Sequence, residues 1–520
     1  MDDLMNHRKG VIMLRITIFI LSILFAAVVY VWITSFGGEF LIIARSTWIL
    51  IAFAALLVAG SLYGLAGILV KKEINPPPAA RILFTIFNPI AGIILLYIHY
   101  KLVSWVIDTM PVYELVALSL PFVGYGLLLI ADGLGFLLKI FGMKNLKLGI
   151  PGMVTAGVAF LFLFAAFGIR LLLWNPSFAG GISHTPLFAE GMQEGRGYRI
   201  PSLLAFKDDK GRDIVMAFAE SRADAMFDWG DIDLVARRSL DGGKTWGPIQ
   251  ALVDAGRRTA GNPCPVFDRD TKVLWLPFCI DNKQVWMMKS ADFGLSFSRP
   301  VNITQQLNLG LKCNDSPLCM EYGTGPGIGI QLKSSRLVVP VYYFRSKSGR
   351  GAHVLYSEDH GNTWKKGGDL GAGEEPQVVE RMDGSLYMNC RFKRCKPRKI
   401  GLSRDGGVTW HDPFGDESLI DAQTQASLIR LPGSGNTLLF SNPVYCARGN
   451  LTLRMSNDDG KTWPVSRELY SGPSCYSQLC ALPDGTILLL FESGKYDYRE
   501  ELTLVRLDRD WIYGKSPGRE

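Results

Sequence analysis

An arginine just before a proline, in Tyr198-Arg199-Ile200-Pro201, opens the long β-rich part of this 520-residue chain. A guanidinium group is planar, keeps its charge and offers paired N–H donors, so it suits bidentate binding of an anion such as a carboxylate. One arginine makes no site, and the chemistry depends on companions. Further along stand Glu220 and Arg222, Asp228, the pair Glu374-Glu375, Arg391, Arg448, Tyr476 and Glu492. Taken singly, each is most simply read as a surface ion pair or a strand residue. Their number and order are what ask for a common scaffold.

That scaffold is written in a repeat. Five turns of the form Ser-x-Asp-x-Gly-x-x-aromatic start at Ser239, Ser290, Ser357, Ser403 and Ser456, with spacings of 51, 67, 46 and 53 residues. The aromatics are Trp246, Phe297, Trp364, Trp410 and Trp463. Ser and Asp side chains bond nearby backbone N–H groups, and Gly accepts positive φ. The aromatic then anchors the turn beneath its hairpin, so these residues are read as structural. Short apolar runs such as Ile214–Ala219, Val273–Pro277, Arg336–Tyr343, Leu438–Ser441 and Ile487–Phe491 lie between clusters of Gly, Asp, Asn and Pro. Such runs predict strands and turns without long helices. About 345 residues at roughly 50–60 per repeat predict a six-bladed β-propeller.

The repeated turn resembles the Asp-box of sialidases, and the resemblance extends from Arg199 to Glu492. Propellers with this turn need not be enzymes, so the site is argued separately. The resemblance implies a clamp for the substrate carboxylate made by Arg199, Arg391 and Arg448, with Arg222 as an accessory arginine. It implies Tyr476 as nucleophile, Glu375 as its base and Asp228 as acid/base. Glu492 corresponds to the glutamate that steadies the first arginine, and Glu220 supports Arg222 in the Glu-x-Arg segment. Asp224 and Asp231 are alternatives to Asp228, Glu374 to Glu375, and Arg454 to Arg448. Cys390 stands where the family usually has Ala or Ser.

The implied chemistry suits these types. A carboxylate nucleophile would be repelled by the carboxylate of sialic acid, whereas a neutral tyrosine would not. Tyrosine is weak at its ordinary pKa of about 10, so a neighbouring base must take its proton. Glycosidases with a tyrosine nucleophile depart from the two-carboxylate pattern in this way. Asp228 would have to hold a proton near neutral pH, which calls for burial or for a substrate that excludes water.

Before the β-rich region, five apolar segments near 11–35, 41–70, 82–107, 112–138 and 149–174 are long enough to be read as transmembrane helices. Lys and Arg cluster before the first, between the second and third, and between the fourth and fifth. Positive charge marks the inner side, so the expected topology is N-terminus cytoplasmic and everything after Trp174 exterior. The expected fold is thus a transmembrane helical bundle over 1–175 and an all-β propeller over 176–520. The net charge of +7 comes with no basic run interleaved with aromatics, and no nucleic-acid partner is read.

All nine cysteines lie after the apolar segments, with close pairs at Cys313/Cys319, Cys390/Cys395 and Cys475/Cys480. An exterior compartment would permit disulfides. No tight Cys-x-x-Cys is present, so no zinc site or other cofactor is expected. The leading reading is a membrane-embedded, retaining exo-α-sialidase that takes terminal sialic acids from glycoconjugates outside the cell. The same residues would serve a trans-sialidase. A non-catalytic glycan-binding propeller is the reading from another class.

Overall fold

The computed structural model describes residues 175–513, except 181, 226, 308–319, 346–348 and 445. All of these described residues belong to the unit Trp174–Glu520. They form a β-propeller-like domain of antiparallel strands in five hydrogen-bonded sheets. The first contains Gly197–Lys207, Asp213–Arg222, Ile232–Ser239 and Gln250–Val253, side by side in chain order. Two five-stranded sheets follow, then one of four strands, Glu374–Glu380, Leu386–Arg391, Pro397–Ser403 and Phe414–Ile420. The last has seven strands, and Ser183–Ala189 from the start of the domain lies at its edge beside Glu501–Leu507.

Apolar runs become strands here because both faces of an inner strand are covered. Ile214 to Ala219 are buried without interruption, the pattern of a strand packed on two sides. Gln250–Val253, at the outer edge of the same sheet, is half exposed. Each sheet shares an apolar layer with the next. Met216 and Phe218 meet Leu276 and Phe278; Trp275 and Val285 meet Val339 and Leu355; Val354 meets Val378 and Leu386; Tyr387 meets Leu428 and Phe440. The first sheet then meets the last, where Val215 and Ala217 pack with Leu488, Leu490 and Leu502. Full burial of each such Leu, Val or Phe contributes about 1.5–3 kcal/mol.

The repeated turns pin the sheets together. In all five, the Gly amide donates to the Ser Oγ at 2.8 Å, and the Asp binds the Thr or Ser four residues on. The glycine has two duties. Gly361 has φ +87°, and a Cβ there would come within 2.2 Å of Trp275 in the neighbouring sheet.

Two expectations about the architecture are corrected. Six separate four-stranded blades are not what the hydrogen bonds delimit. Val465–Ala481, 17 residues long, pairs with Gly449–Ser456 through its first part and with Ile487–Ser493 through its second. That strand fuses the last two repeats into one sheet. The transmembrane bundle, with the multi-pass, exterior-facing localisation built on it, is likewise withdrawn. Among the described residues no helix is long and apolar enough to cross a membrane, and the helix that closes them, Arg509–Ile512, has four residues. The described chain spends its apolar residues between sheets. The five apolar segments lie outside the described residues.

Candidate active site

Glu492 is the point from which the site is built. Its side chain is wholly buried and accepts four hydrogen bonds. Two come from Arg199, from Nε at 3.0 Å and Nη2 at 3.2 Å. The others come from the backbone amides of Ile200 at 3.1 Å and Tyr476 at 3.2 Å. One carboxylate therefore fixes an arginine of the first sheet and the backbone of a tyrosine of the last. A buried charge is tolerable only when paired and hydrogen-bonded in this way.

Three irregularities in the innermost strands aim the side chains. Register shifts occur between Arg199 and Ser202, between Glu374 and Gln377, and between Ser474 and Ser477. Bulges re-aim side chains in this manner. Two of them hold a residue in the left-handed region, Ile200 at φ +58° and Glu375 at φ +42°. For a β-branched residue such as Ile200 that conformation is an outlier, held by the bond from its amide to Glu492.

Around this frame the residues named from the sequence converge. The phenol of Tyr476 donates to Glu375 Oε1. Arg391 Nη1 lies 2.7 Å from Glu375 Oε2 and 2.9 Å from Tyr476 Oη. Burial, then the Glu375 charge, push the Tyr476 phenol well above its ordinary pKa, while Arg391 works in the opposite direction. The tyrosine is thus neutral at rest, in contact with a carboxylate placed to take its proton. Glu374, the alternative to Glu375, is turned toward Arg350 and Arg391 Nε.

Asp228 Oδ1 accepts from Arg199 Nη1 at 3.0 Å and from Arg222 Nη1 at 2.8 Å. The protein atoms crowded beneath it work against its charge although its surface stays open to solvent, but the two arginines outweigh them and hold the carboxyl below the usual range. Its side chain is 66% exposed. Asp228 is therefore ionised at rest, whereas an acid must hold a proton. Asp231 pairs with Arg196 instead, and the Asp224 carbonyl accepts from the Phe227 amide within the loop. Arg222 reaches Asp228 because Glu220 holds its Nε and Nη2 from beneath. Burial raises the Glu220 pKa, and the Arg222 charge and the Asn262 amide oppose this.

Arg448 Nη1 donates to Tyr498 Oη at 2.6 Å, and Nη2 to the Gln423 carbonyl at 3.3 Å. Arg454, its alternative, binds Asn442. Tyr498 is a residue that the sequence reading missed. Its buried ring has the Arg199 guanidinium at 5.4 Å and that of Arg448 at 5.3 Å from its centroid. A tyrosine face between two cations eases their repulsion. Nothing in Asp497-Tyr498-Arg499 announces that role. The structure supplies the cysteine pairing that the sequence left open. Cys395 is bonded to Cys446, while Cys390, Cys475 and Cys480 are buried free thiols. Residues near in sequence on one strand point away from each other, whereas these two loops meet in space. Cys313 and Cys319 lie outside the described residues.

Such a surface can grip a carboxylate with several guanidinium groups and present a phenol backed by a base to the atom beside it. Comparison with known proteins agrees in kind. Residues 214–489 match the family described as BNR repeat-like domain. A sialidase of Micromonospora viridifaciens is 32% identical over 354 residues, which are 59% of this chain and 53% of that protein. Sialidase-3 of Mus musculus is 33% identical over 381 residues, 64% of this chain and 85% of that protein. Among solved structures, a Hadza microbial sialidase aligns with a TM-score of 0.53 at 27% identity, over 61% of this chain and 66% of that one. The chain spans about half the length of the Micromonospora relative and 61% of a Bacteroides fragilis sialidase. The chain belongs to the BNR-repeat sialidase family of glycoside hydrolases.

Proposed function

We propose that this protein is a retaining exo-α-sialidase that hydrolyses terminal sialic acids of glycoconjugates. The observation that carries the reading is the contact of Tyr476 Oη with both Glu375 and Arg391. In this reading Arg199, Arg391 and Arg448 bind the substrate carboxylate, and Arg222 borders it. The Tyr476 oxygen attacks the anomeric carbon as its proton passes to Glu375. The bond to the leaving oxygen breaks, and that oxygen takes a proton from Asp228. Water then attacks the glycosyl–tyrosine bond from the vacated side, giving its proton to Asp228, and Tyr476 recovers its own from Glu375. Two inversions leave the anomeric configuration unchanged.

The ionised Asp228 of the resting site fits this scheme through the arginines. A substrate carboxylate on Arg199 neutralises a charge that depresses the Asp228 pKa, and the bound sugar displaces water from the carboxyl. Both changes favour the protonated form.

The test is hydrolysis of a fluorogenic α-sialoside, with the product followed by proton NMR. Release of the α anomer first, before mutarotation, is the expected result. Absence of turnover by folded protein that binds sialic acid would overturn the enzyme reading. First release of the β anomer would overturn the retaining mechanism. Adding lactose as an acceptor separates hydrolysis from transfer to a sugar.

A further inference from the structure

Two of the arginines assigned to the clamp stand beside the two ends of one disulfide. Cys395 follows Arg391 by four residues, Cys446 precedes Arg448 by two, and the bond between them spans 51 residues of sequence. Both half-cystines lie in the left-handed region, at φ +56° and +59°, a conformation that a non-glycine residue keeps only when its surroundings impose it. The loop between the bonded ends supports the same alignment. Asp421 and Arg398 form a wholly buried ion pair at 3.0 Å. Asp421 also accepts from the Phe392 amide at 2.6 Å, and its carbonyl accepts from the Cys395 amide at 2.9 Å. Two residues on, the Gln423 carbonyl accepts from Arg448, and Gln425 accepts from the Ser477 amide beside Tyr476.

We infer that Cys395 and Cys446 are positioning residues, whose disulfide sets the separation of Arg391 and Arg448 and so the grip on the substrate carboxylate. This rests on the proposed sialidase reading. Cys395 is exposed, whereas Cys264, Cys279, Cys390, Cys475 and Cys480 are buried free thiols, so a reductant in solution reaches this bond. Loss of the bond frees two loops beside Arg391 and Arg448 and removes no atom of Tyr476, Glu375 or Asp228. Substrate grip weakens more than the chemical step, because preorganisation of binding groups is what is lost.

The test compares wild type, wild type with a thiol reductant, and the Cys395→Ser, Cys446→Ser double variant on a fluorogenic sialoside. The expected result is a KM about tenfold higher in the variant, with kcat within about twofold. Reductant should bring wild type to the variant's KM and leave the variant unmoved, which separates this bond from any other. Circular dichroism and thermal melting of the variant report the fold. An unchanged KM overturns the inference. So does a fall in kcat with a collapsed melting curve, which would make the bond merely structural. Failure of the underlying sialidase reading looks different, since oxidised wild type would then show no turnover at all.

Discussion

The repeated turns and the cluster around Glu492 solve opposite problems. Each turn is made of residues within eight positions of one another, and each supplies its own partners. The Gly amide finds the Ser, the Asp finds the Thr or Ser four residues on, and that glycine takes positive φ in all five, joined in three of them by the residue before it, Phe293, His360 or Asp459. The site draws on residues up to 293 positions apart. It holds Ile200 and Glu375 at positive φ without glycine and brings two buried arginines, Arg199 and Arg222, onto one carboxylate. The turns find their hydrogen-bond partners within four residues, and the site finds its partners only when distant strands come together. Functional sites are where backbone strain concentrates.

The largest effect that would test this division is chemical. Tyr476→Phe keeps the ring and removes the oxygen in contact with Glu375 and Arg391. Turnover of an activated sialoside should fall by about 10³-fold or more, with the melting temperature held. Retained activity would show that the tyrosine belongs to the scaffold and not to the chemistry. Next comes Gly361→Ala. It places a Cβ at positive φ against Trp275, at a cost of about 1–3 kcal/mol. Denaturant unfolding should register that loss, and kcat/KM measured well below the melting temperature should not change. Loss of activity in the folded variant would mean that turn and site are coupled.

The smallest effect is an acid limb of stability. Burial tends to raise the carboxyls of Asp241 and Asp405, but hydrogen bonds from Thr245 and Ser239, and from Thr409 and Ser403, outweigh it and hold both at about 2. The unfolded chain takes up these protons first, near about pH 4. The stabilisation is therefore complete above that pH and is lost as pH falls toward about 2. Asp241→Asn should flatten the fall in melting temperature across this window. An unaltered profile would assign the limb to other carboxylates.

The same contrast decides what could be read from the sequence. The turns were legible from residue types alone, because Ser239, Asp241 and Gly243 carry their partners with them. The strands were legible as apolar runs between turn residues. The count of separate sheets was not, because Val465–Ala481 runs through a boundary that spacing treats as a break. The candidate site could be named residue by residue only through resemblance. Glu492 and Arg199 share no periodicity, and no local rule joins them. Tyr498 escaped for the same reason. The disulfide partner of Cys395 was not legible, because Cys446 is 51 residues away along the chain and near only in space.

The strand Ser183–Ala189 pairs with Glu501–Leu507, residue by residue from Ser183 beside Arg506 to Ala189 beside Glu501. For a chain made from its N-terminus, this edge stays open through the synthesis of more than 300 residues. Over that interval, at about 5–20 residues per second, Arg199 has neither Glu492 nor Tyr476 beside it. The arginine of the first sheet waits for a carboxylate from the latest part of the chain. A ribosome-bound fragment ending before Glu492 carries all five turns in its sequence and lacks the carboxylate that joins Arg199 to Tyr476, so the centre assembles in a late step.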